Sequence, residues 1–401
     1  MVRRAGISQD ELRRVNVSAL LSWVHGHGPT SRAVLTTQLG LNRSTIGDLT
    51  SQLEANGLVS EDTPAVASRS GRPSLVVTAR EDVTVVAIML DVDRITVALV
   101  GLGGIELDRR SRVHQRGEHD VAHVVETVSQ LVREVRADPR AARCAGVGVS
   151  VPGAVRASDG LVRFAPNLGW TNEPFSDLLS EALGMPVMTG NDADLGVLAE
   201  HLRGAAIGVN DVGYVTGSVG IGGGFLVGGV PLRGSEGYAG EVGHLLVDSN
   251  GPPCRCGGIG CWETKVGENQ LLTGAGRLPG GGPTAVAEVI DAADTGDERA
   301  AASLDAVAKW TGVGLRAVVN VFNPEVIVLG GLLARTWRAR AGLVDAALNR
   351  GGLISPRDRV TLRPAALGDD SALLGAAELA FAPLLADPLA TVGGAVAQGS
   401  R

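Results

Sequence analysis

Gly240-Glu241-Val242-Gly243-His244, followed by Cys254-Arg255-Cys256-Gly257-Gly258-Ile259-Gly260-Cys261-Trp262-Glu263, is the stretch on which the reading of this chain turns. Three of the four cysteines fall within these eight residues, 254–261. In a cytosolic protein such clustering favours a metal over a disulfide. Cys254 and Cys256 sit too close along the chain for a relaxed disulfide. The glycines between the thiols let the loop fold back around an ion. Three reduced cysteines with no metal are the competing reading. Cys144 lies beside a strand-like run and reads as a small core residue.

Outward from this loop, composition bounds the chain. Its 401 residues are too many for one ordinary core, so two or three domains are expected. Hydrophobic residues make up 44% and charged residues 20%, the balance of a soluble globular protein. No apolar run approaches the roughly 18 residues of a membrane span. The start, Met1-Val2-Arg3-Arg4-Ala5, has no apolar segment behind it, so no signal peptide is read and a cytoplasmic location is expected. The net charge of -7 is uneven. Residues 1–80 hold 9 Arg/Lys against 6 Asp/Glu, whereas the remainder holds 27 against 37. A basic head on an acidic body suits a nucleic-acid module joined to a regulatory domain.

The head has its own punctuation. Ser8 and Glu11 form a capping box for a helix over 8–27, with Leu12, Val15, Leu20 and Val24 as apolar positions. Gly28-Pro29-Thr30-Ser31 breaks it, a second helix covers about 31–39, and Gly40-Leu41-Asn42 turns the chain. A third helix is expected over about 43–56, capped by Asn42 and stopped at Gly57. Ile46, Leu49 and Leu53 line one face; Arg43, Ser44, Thr45, Gly47, Asp48, Ser51 and Gln52 lie largely outside that stripe. Leu58-Val59-Ser60 and Leu75-Val76-Val77-Thr78 read as a β-hairpin wing, with Ser68-Arg69-Ser70-Gly71-Arg72-Pro73 in its loop. The expectation is a winged helix-turn-helix that reads double-stranded DNA. Arg43, Ser44, Thr45 and Asp48 are the expected major-groove contacts; Arg69 and Arg72 are expected in a minor groove. Gly47 is expected to allow close approach, and Asp48 argues for specific readout over pure charge attraction. A helical dimerisation subdomain is the competing reading.

From about residue 83 the texture becomes α/β. Val83–Leu90 is a continuous apolar run, as in a buried strand. Strands at 95–100, 147–151, 212–216, 224–226 and 326–329 and helices at about 119–137 and 300–322 follow.

The two opening segments resemble the signature of the ROK family of repressors, open reading frames and sugar kinases. Asn191-Asp192-Ala193, the segments 218–224 and 234–240, and Asn323-Pro324-Glu325 through Gly331 match it as well. The resemblance spans essentially the whole chain and is nearest to the branch with an N-terminal winged helix. It implies a two-lobed actin-like, ribonuclease-H-like sugar-kinase fold over 83–385, with a cleft near 190–265, after a DNA-binding domain at 1–80 and before a flexible tail at 386–401. It makes His244 the fourth ligand of a structural zinc with Cys254, Cys256 and Cys261, a closed tetrahedral set. It implies a sugar site of Gly153, Asn167, Asn191, Asp192, Glu241, His244 and Glu263. There one nitrogen of His244 would bind zinc and the other face a hydroxyl. Without the resemblance, Asn191-Asp192 reads as a turn.

In the family's kinases the residue matching Asp192 is the general base. Two loops there cradle ATP phosphates. The first, usually Asp-x-Gly-Gly-Thr, reads Asp91-Val92-Asp93-Arg94-Ile95 here. Both glycines and the hydroxyl residue are replaced, and Asp93 adds like charge. The second, containing Ser218, Gly220, Gly222 and Gly223, is nearly intact and is read as vestigial. Phosphoryl transfer is almost wholly positioning and electrostatics, so kinase activity is expected to be lost. The expectation is a repressor, dimeric or a dimer of dimers, that meets operator DNA under control of a sugar or sugar phosphate. An ATP-dependent sugar kinase with an appended DNA-binding domain is the alternative, and a protein partner in place of the sugar is a third reading.

Overall fold

Val83–Leu90, the run read as a buried strand, is the middle strand of a five-stranded sheet. The architecture comes from a computed structural model that describes residues 8–63, 74–117, 119–351 and 360–390. Arg143–Val151 and then Val187–Asn191 extend the sheet in parallel on one side. Arg94–Gly101 and Ile105–Val113 extend it antiparallel on the other. Both faces of the middle strand are covered, which is why it carries no polar alternation. Val86, Ile88 and Leu90 meet Val124, Val128 and Leu131 of the helix Val121–Arg136. Val85 and Ala87 meet Leu373, Ala376 and Phe381 of the C-terminal helix Ser371–Ala386.

A second sheet repeats the plan. Its order is Val230–Pro231, Ile221–Val227, Val212–Gly217, Val326–Gly330, Thr361–Pro364. The first three strands are antiparallel and the last two join in parallel, as in the first sheet. Two lobes of one topology, each of mixed sense, make the α/β fold that the sequence implied. The long helix Glu298–Phe322 and the metal-loop residue Trp262 share the second lobe's core. The helix Asp192–Arg203 leaves the first sheet for the second lobe, and Ser371–Ala386 returns and packs against it. The return is very close. A Cβ on Gly148 would overlap the Ala376 carbonyl.

The head follows its expected elements. Gln9–His27 has the Ser8–Glu11 capping box, and Arg32–Leu39 and Arg43–Ala55 follow. Gly40 turns at φ 65° and Asn42 caps the third helix. Val59–Asp62 pairs with Val76–Ala79, and the residues read as a helix break, Thr30–Ser31, add a short third strand. Leu12 and Val15, expected to be apolar contacts, are exposed; Val17, Leu20, Leu21, Val24 and His25 are the buried face. That face, with Leu35, Ile46 and Leu53, shares one core with Val83, Val85, Leu373 and Phe381. The expected boundary at 80–83 therefore runs between Ala79 and Val83, both buried in that core. At the other end Leu389, within the expected tail, packs against the same core, and 391–401 lie outside the described residues. The charged edge strand Ile105–Val113 and the C-terminal helix escaped the sequence reading.

Gly148→Ala is expected to cost about 1–3 kcal/mol of overpacking strain. A urea denaturation midpoint unchanged from the parent would show that the two backbones are not locked together there.

Candidate functional site

The metal loop is built by short backbone bonds. Cys254 N–H donates to Gly258 O at 2.8 Å and Gly257 N–H to Cys254 O at 3.0 Å, closing the turn that presents the thiols. Trp262 anchors it from below, fully buried, with its indole N–H on the Trp310 carbonyl at 2.9 Å. One ligand atom from each of His244, Cys254, Cys256 and Cys261 lies within 4.8 Å of all the others. Cys256 Sγ is 3.7 Å from Cys261 Sγ, and Cys254 Sγ is 3.7 Å from His244 Nδ1. Tetrahedral zinc, with bonds of ~2.3 Å to sulfur and ~2.0–2.1 Å to nitrogen, sets such ligand atoms about 3.5–3.8 Å apart. The four residues therefore fit a metal, and all three cysteines are free of disulfides. Burial and the neighbouring Glu263 carboxyl, 2.9 Å away, push the Cys254 thiol up. The backbone N–H of Gly258 holds Cys256 down. With Nδ1 turned to the thiols, His244 Nε2 faces Glu241 Oε2 at 3.9 Å.

The expected sugar residues gather beside this loop, with a division of labour. Asn191 Nδ2 donates to Gly153 O at 2.9 Å. Its Oδ1 accepts from Ala193 N at 2.8 Å and Asp194 N at 3.1 Å, capping the helix Asp192–Arg203. Asn191 thus ends the strand Val187–Asn191 and caps the helix that follows, where the competing reading had a turn. Asn167 is likewise engaged, accepting from Arg255 Nη1 at 2.8 Å and so tying the first lobe to the metal loop. Asp192, Asp194 and Glu241 form an acidic group between the lobes. Burial pushes Asp192 and Asp194 up to about 7. Asp91 and Glu241 add to this at Asp192, and Asp192 and Glu241 at Asp194, while Arg233 opposes it at Asp194. Burial also raises Glu241. The pocket among Asn191, Asp194, Gly223 and Glu241 is about 10 Å³, room for one water. A sugar needs these walls to part.

A larger space, about 640 Å³, is lined by Asp192 itself together with Asp91, Asp93, Arg94, Ser218 and Gly282 among others. Here the replaced loop is a tight turn, Asp91 N–H to Arg94 O at 2.8 Å. Asp93 pairs with Arg116 at 3.0 Å, and Arg116 pairs with Glu268 at 2.7 Å. This bridge spans the lobes next to the loop read as broken. Arg116 and Glu268 carried no motif and were missed. The second loop divides. Ser218 lines the large space, whereas Gly222 and Gly223 line the small pocket. A Cβ on the neighbouring Gly224 would overlap the Ala193 carbonyl, so its smallness serves packing on the helix Asp192–Arg203.

On the head, Arg43, Ser44, Asp48 and Ser51 are exposed and Thr45 is half-buried. Ser44 Oγ also donates to Asn42 Oδ1 at 2.7 Å. Two residues placed on the outer face have internal roles instead. Gln52 accepts from Arg13 Nε at 3.1 Å, and Gly47 gives room to Arg32, which pairs with Glu61 of the wing. Arg69 and Arg72 lie outside the described residues. Among the described residues no helix is long and apolar enough to cross a membrane.

The profile described as "ROK family" matches residues 85–382. A protein named putative xylose repressor, from Caldicellulosiruptor sp. (strain Rt8B.4), is 27% identical over 391 residues, covering 94% of this chain and 98% of its own. A glucokinase of Halalkalibacterium halodurans is 31% identical over 248 residues, covering 57% of this chain and 74% of its own. The crystal structure of a ROK family transcriptional regulator, a homologue of the E. coli MLC protein, superposes with a TM-score of 0.76 at 23% identity. It covers 95% of this chain and 99% of the other.

Two outcomes are expected. Cys256→Ser should bind less zinc than the parent and melt earlier when both are supplied with the metal; undiminished zinc by elemental analysis would remove Cys256 from the candidate ligand set. Asp194 is near 7 when folded against an ordinary 3.8, so the folded state holds the extra proton and stability falls as pH rises from about 4 to 7. Asp194→Asn should therefore gain melting temperature over the parent progressively across that range and hold the gain above it. A gain that shrinks with rising pH would contradict the burial argument.

Proposed function

The chain belongs to the ROK family, and on that premise we propose that it is a sugar-responsive, DNA-binding repressor. The observation that carries this reading is extent. Similarity to a protein named as a xylose repressor runs over 94% of the chain, so it takes in nearly all of it, whereas the glucokinase match stops at 57%. The exposed Arg43 and Ser44, with Thr45 and Asp48 on the same helix, suit base edges and phosphates. Arg69 and Arg72 are proposed for the wing's contacts. Two heads of a homo-oligomer would span operator half-sites.

The effector is proposed to be a sugar or sugar phosphate, with a pentose such as D-xylose the first to try. Asp192, Glu241, Glu263 and His244 Nε2 are the proposed hydroxyl partners. Gly153, Asn167 and Asn191 shape the site through the bonds they already make. Zinc on His244, Cys254, Cys256 and Cys261 would crosslink the loop and fix the imidazole. The pocket beside Glu241 holds one water's worth of space, so a sugar seated there would need a form with wider lobe spacing. That difference shifts the population between DNA-competent and DNA-incompetent arrangements. A coupling of about 1–3 kcal/mol suffices for a useful response.

One observation favours the kinase alternative: Asp192, held near 7, has the pKa of a serviceable general base. Against it stand Asp93 and Arg94 in the phosphate turn and the Asp93–Arg116–Glu268 bridge beside it. Phosphate arriving there meets a carboxylate where the kinases offer glycine amides.

Melting curves with D-xylose, D-glucose and their phosphates, with and without ATP, test both readings. Stabilisation by a sugar alone is expected, with ATP-dependent phosphorylation well below the order of 1 s⁻¹ usual for an enzyme. Turnover at or above that rate would establish the kinase. No response to any sugar or sugar phosphate would leave the protein-partner reading in its place.

A further inference from the structure

Two elements run from the ligand cleft to the DNA-binding head. The strand Arg143–Val151 ends two residues before Gly153. The helix Asp192–Arg203 begins on Asn191. At the cleft these ends are tied to each other by the Asn191–Gly153 hydrogen bond of 2.9 Å. A strand of this length spans roughly 30 Å and a helix of this length roughly 18 Å, and the strand carries one register shift between Cys144 and Val147.

The far ends both grip the head. Arg143 Nη1 donates to Gly57 O at 2.7 Å, and Nη2 donates to Asn56 O at 3.1 Å. These carbonyls close the helix Arg43–Ala55, whose other end presents Arg43 and Ser44. Arg203 Nη1 donates to His25 O at 3.2 Å and to Gly103 O at 2.8 Å. Its Nε donates to Glu378 Oε1 at 2.7 Å, and Glu378 Oε2 lies 2.8 Å from His25 Nε2. Gly103 N–H donates to His25 Nδ1 at 2.9 Å. His25 and Glu378 are only 2% and 5% exposed. A buried ion pair is poor value as a source of stability, but it fixes geometry, because any other arrangement strands a charge.

We infer that Arg143 and Arg203 are positioning residues that carry the state of the cleft to the DNA-binding head, Arg203 acting through Glu378 and His25. The inference rests on the repressor reading and gives it a route. A ligand that parts the walls around Asn191 and Gly153 shifts the near ends of both elements. The guanidinium groups at the far ends then move the C-terminus of the Arg43–Ala55 helix and the last turn of the Gln9–His27 helix. Neither arginine touches the cleft, and neither sits on the DNA-facing side of the head.

Hydrogen exchange followed by mass spectrometry on the full-length, zinc-loaded protein tests this, with D-xylose and D-glucose as probes. The variants are Arg143→Gln and the pair Arg203→Gln with Glu378→Gln, the latter chosen to leave no buried carboxylate without its cation. In the parent, a sugar that slows exchange in segments 187–203 and 241–265 is expected to change exchange in 17–27 and 43–57 by about fivefold or more. In the variants the cleft response should persist, while the response of 43–57 should vanish in Arg143→Gln and that of 17–27 in the Arg203 and Glu378 pair, which a merely structural role would not produce. A head response as large in the variants as in the parent overturns the inference, as does a parent whose cleft responds while its head does not. If the cleft answers neither sugar, the choice of effector in the repressor reading fails, and a sugar-free comparison decides the inference. Asn191→Ala, which cuts the tie at the cleft, should speed exchange in 43–57 in the parent but not on the Arg143→Gln background. Equal acceleration on both backgrounds, or none on either, overturns the inference. Arg143 is partly exposed and its variant keeps the buried triad, so the test survives misfolding of the other.

Discussion

The near contact of the helix Ser371–Ala386 with the first sheet and with the helix Asp192–Arg203 is the constraint on which the rest of the molecule depends. It is possible because a glycine stands at each contact: Gly148 against the Ala376 carbonyl, and Gly375 against the Leu195 carbonyl. Glu200 on the crossing helix reinforces it, accepting from Ala366 N, Leu367 N and Ser371 Oγ within 2.8–3.1 Å, so the start of the C-terminal helix is fixed by a buried carboxylate. Everything else hangs from this layer. Its outer face supplies Leu373, Phe381 and Leu384 to the core of the head. Its Glu378 receives Arg203 and His25. The head is consequently packed on the first lobe over a wide apolar surface, and movement of that lobe's elements reaches it directly.

In the proposed reading, a few charges separate this cleft from the catalytic clefts of the family's kinases. The acidic group of Asp192, Asp194 and Glu241 stays beside the metal loop, with burial raising each carboxyl. On the phosphate side the bridge Asp93–Arg116–Glu268 joins the lobes with groups that would otherwise repel or compete with an anion. In a kinase the two lobes must close on two substrates and open again. A receptor needs only two lobe spacings of comparable free energy and a ligand that prefers one of them.

The sequence by itself determined many of the elements and a candidate metal set, but not the edge strand Ile105–Val113 or the C-terminal helix. Continuous apolar β-type residues made Val83–Leu90 a strand buried on both faces, and the Ser8–Glu11 and Asn42 caps set the starts of two head helices. The cysteine spacing left a metal as the economical reading, and the family signature supplied His244. All of these are local signals, carried by residues near in the chain. What only the tertiary structure decided is long-range. Asn191 is spent on a helix cap and on Gly153, and Gly47 on making room for Arg32. Arg116 meets Glu268 across 152 residues, and Arg203 meets Glu378 across 175. An isolated arginine or glutamate in a sequence has no periodicity and no fixed spacing to its partner. Its meaning is created when the fold removes it from water and leaves one countercharge within reach.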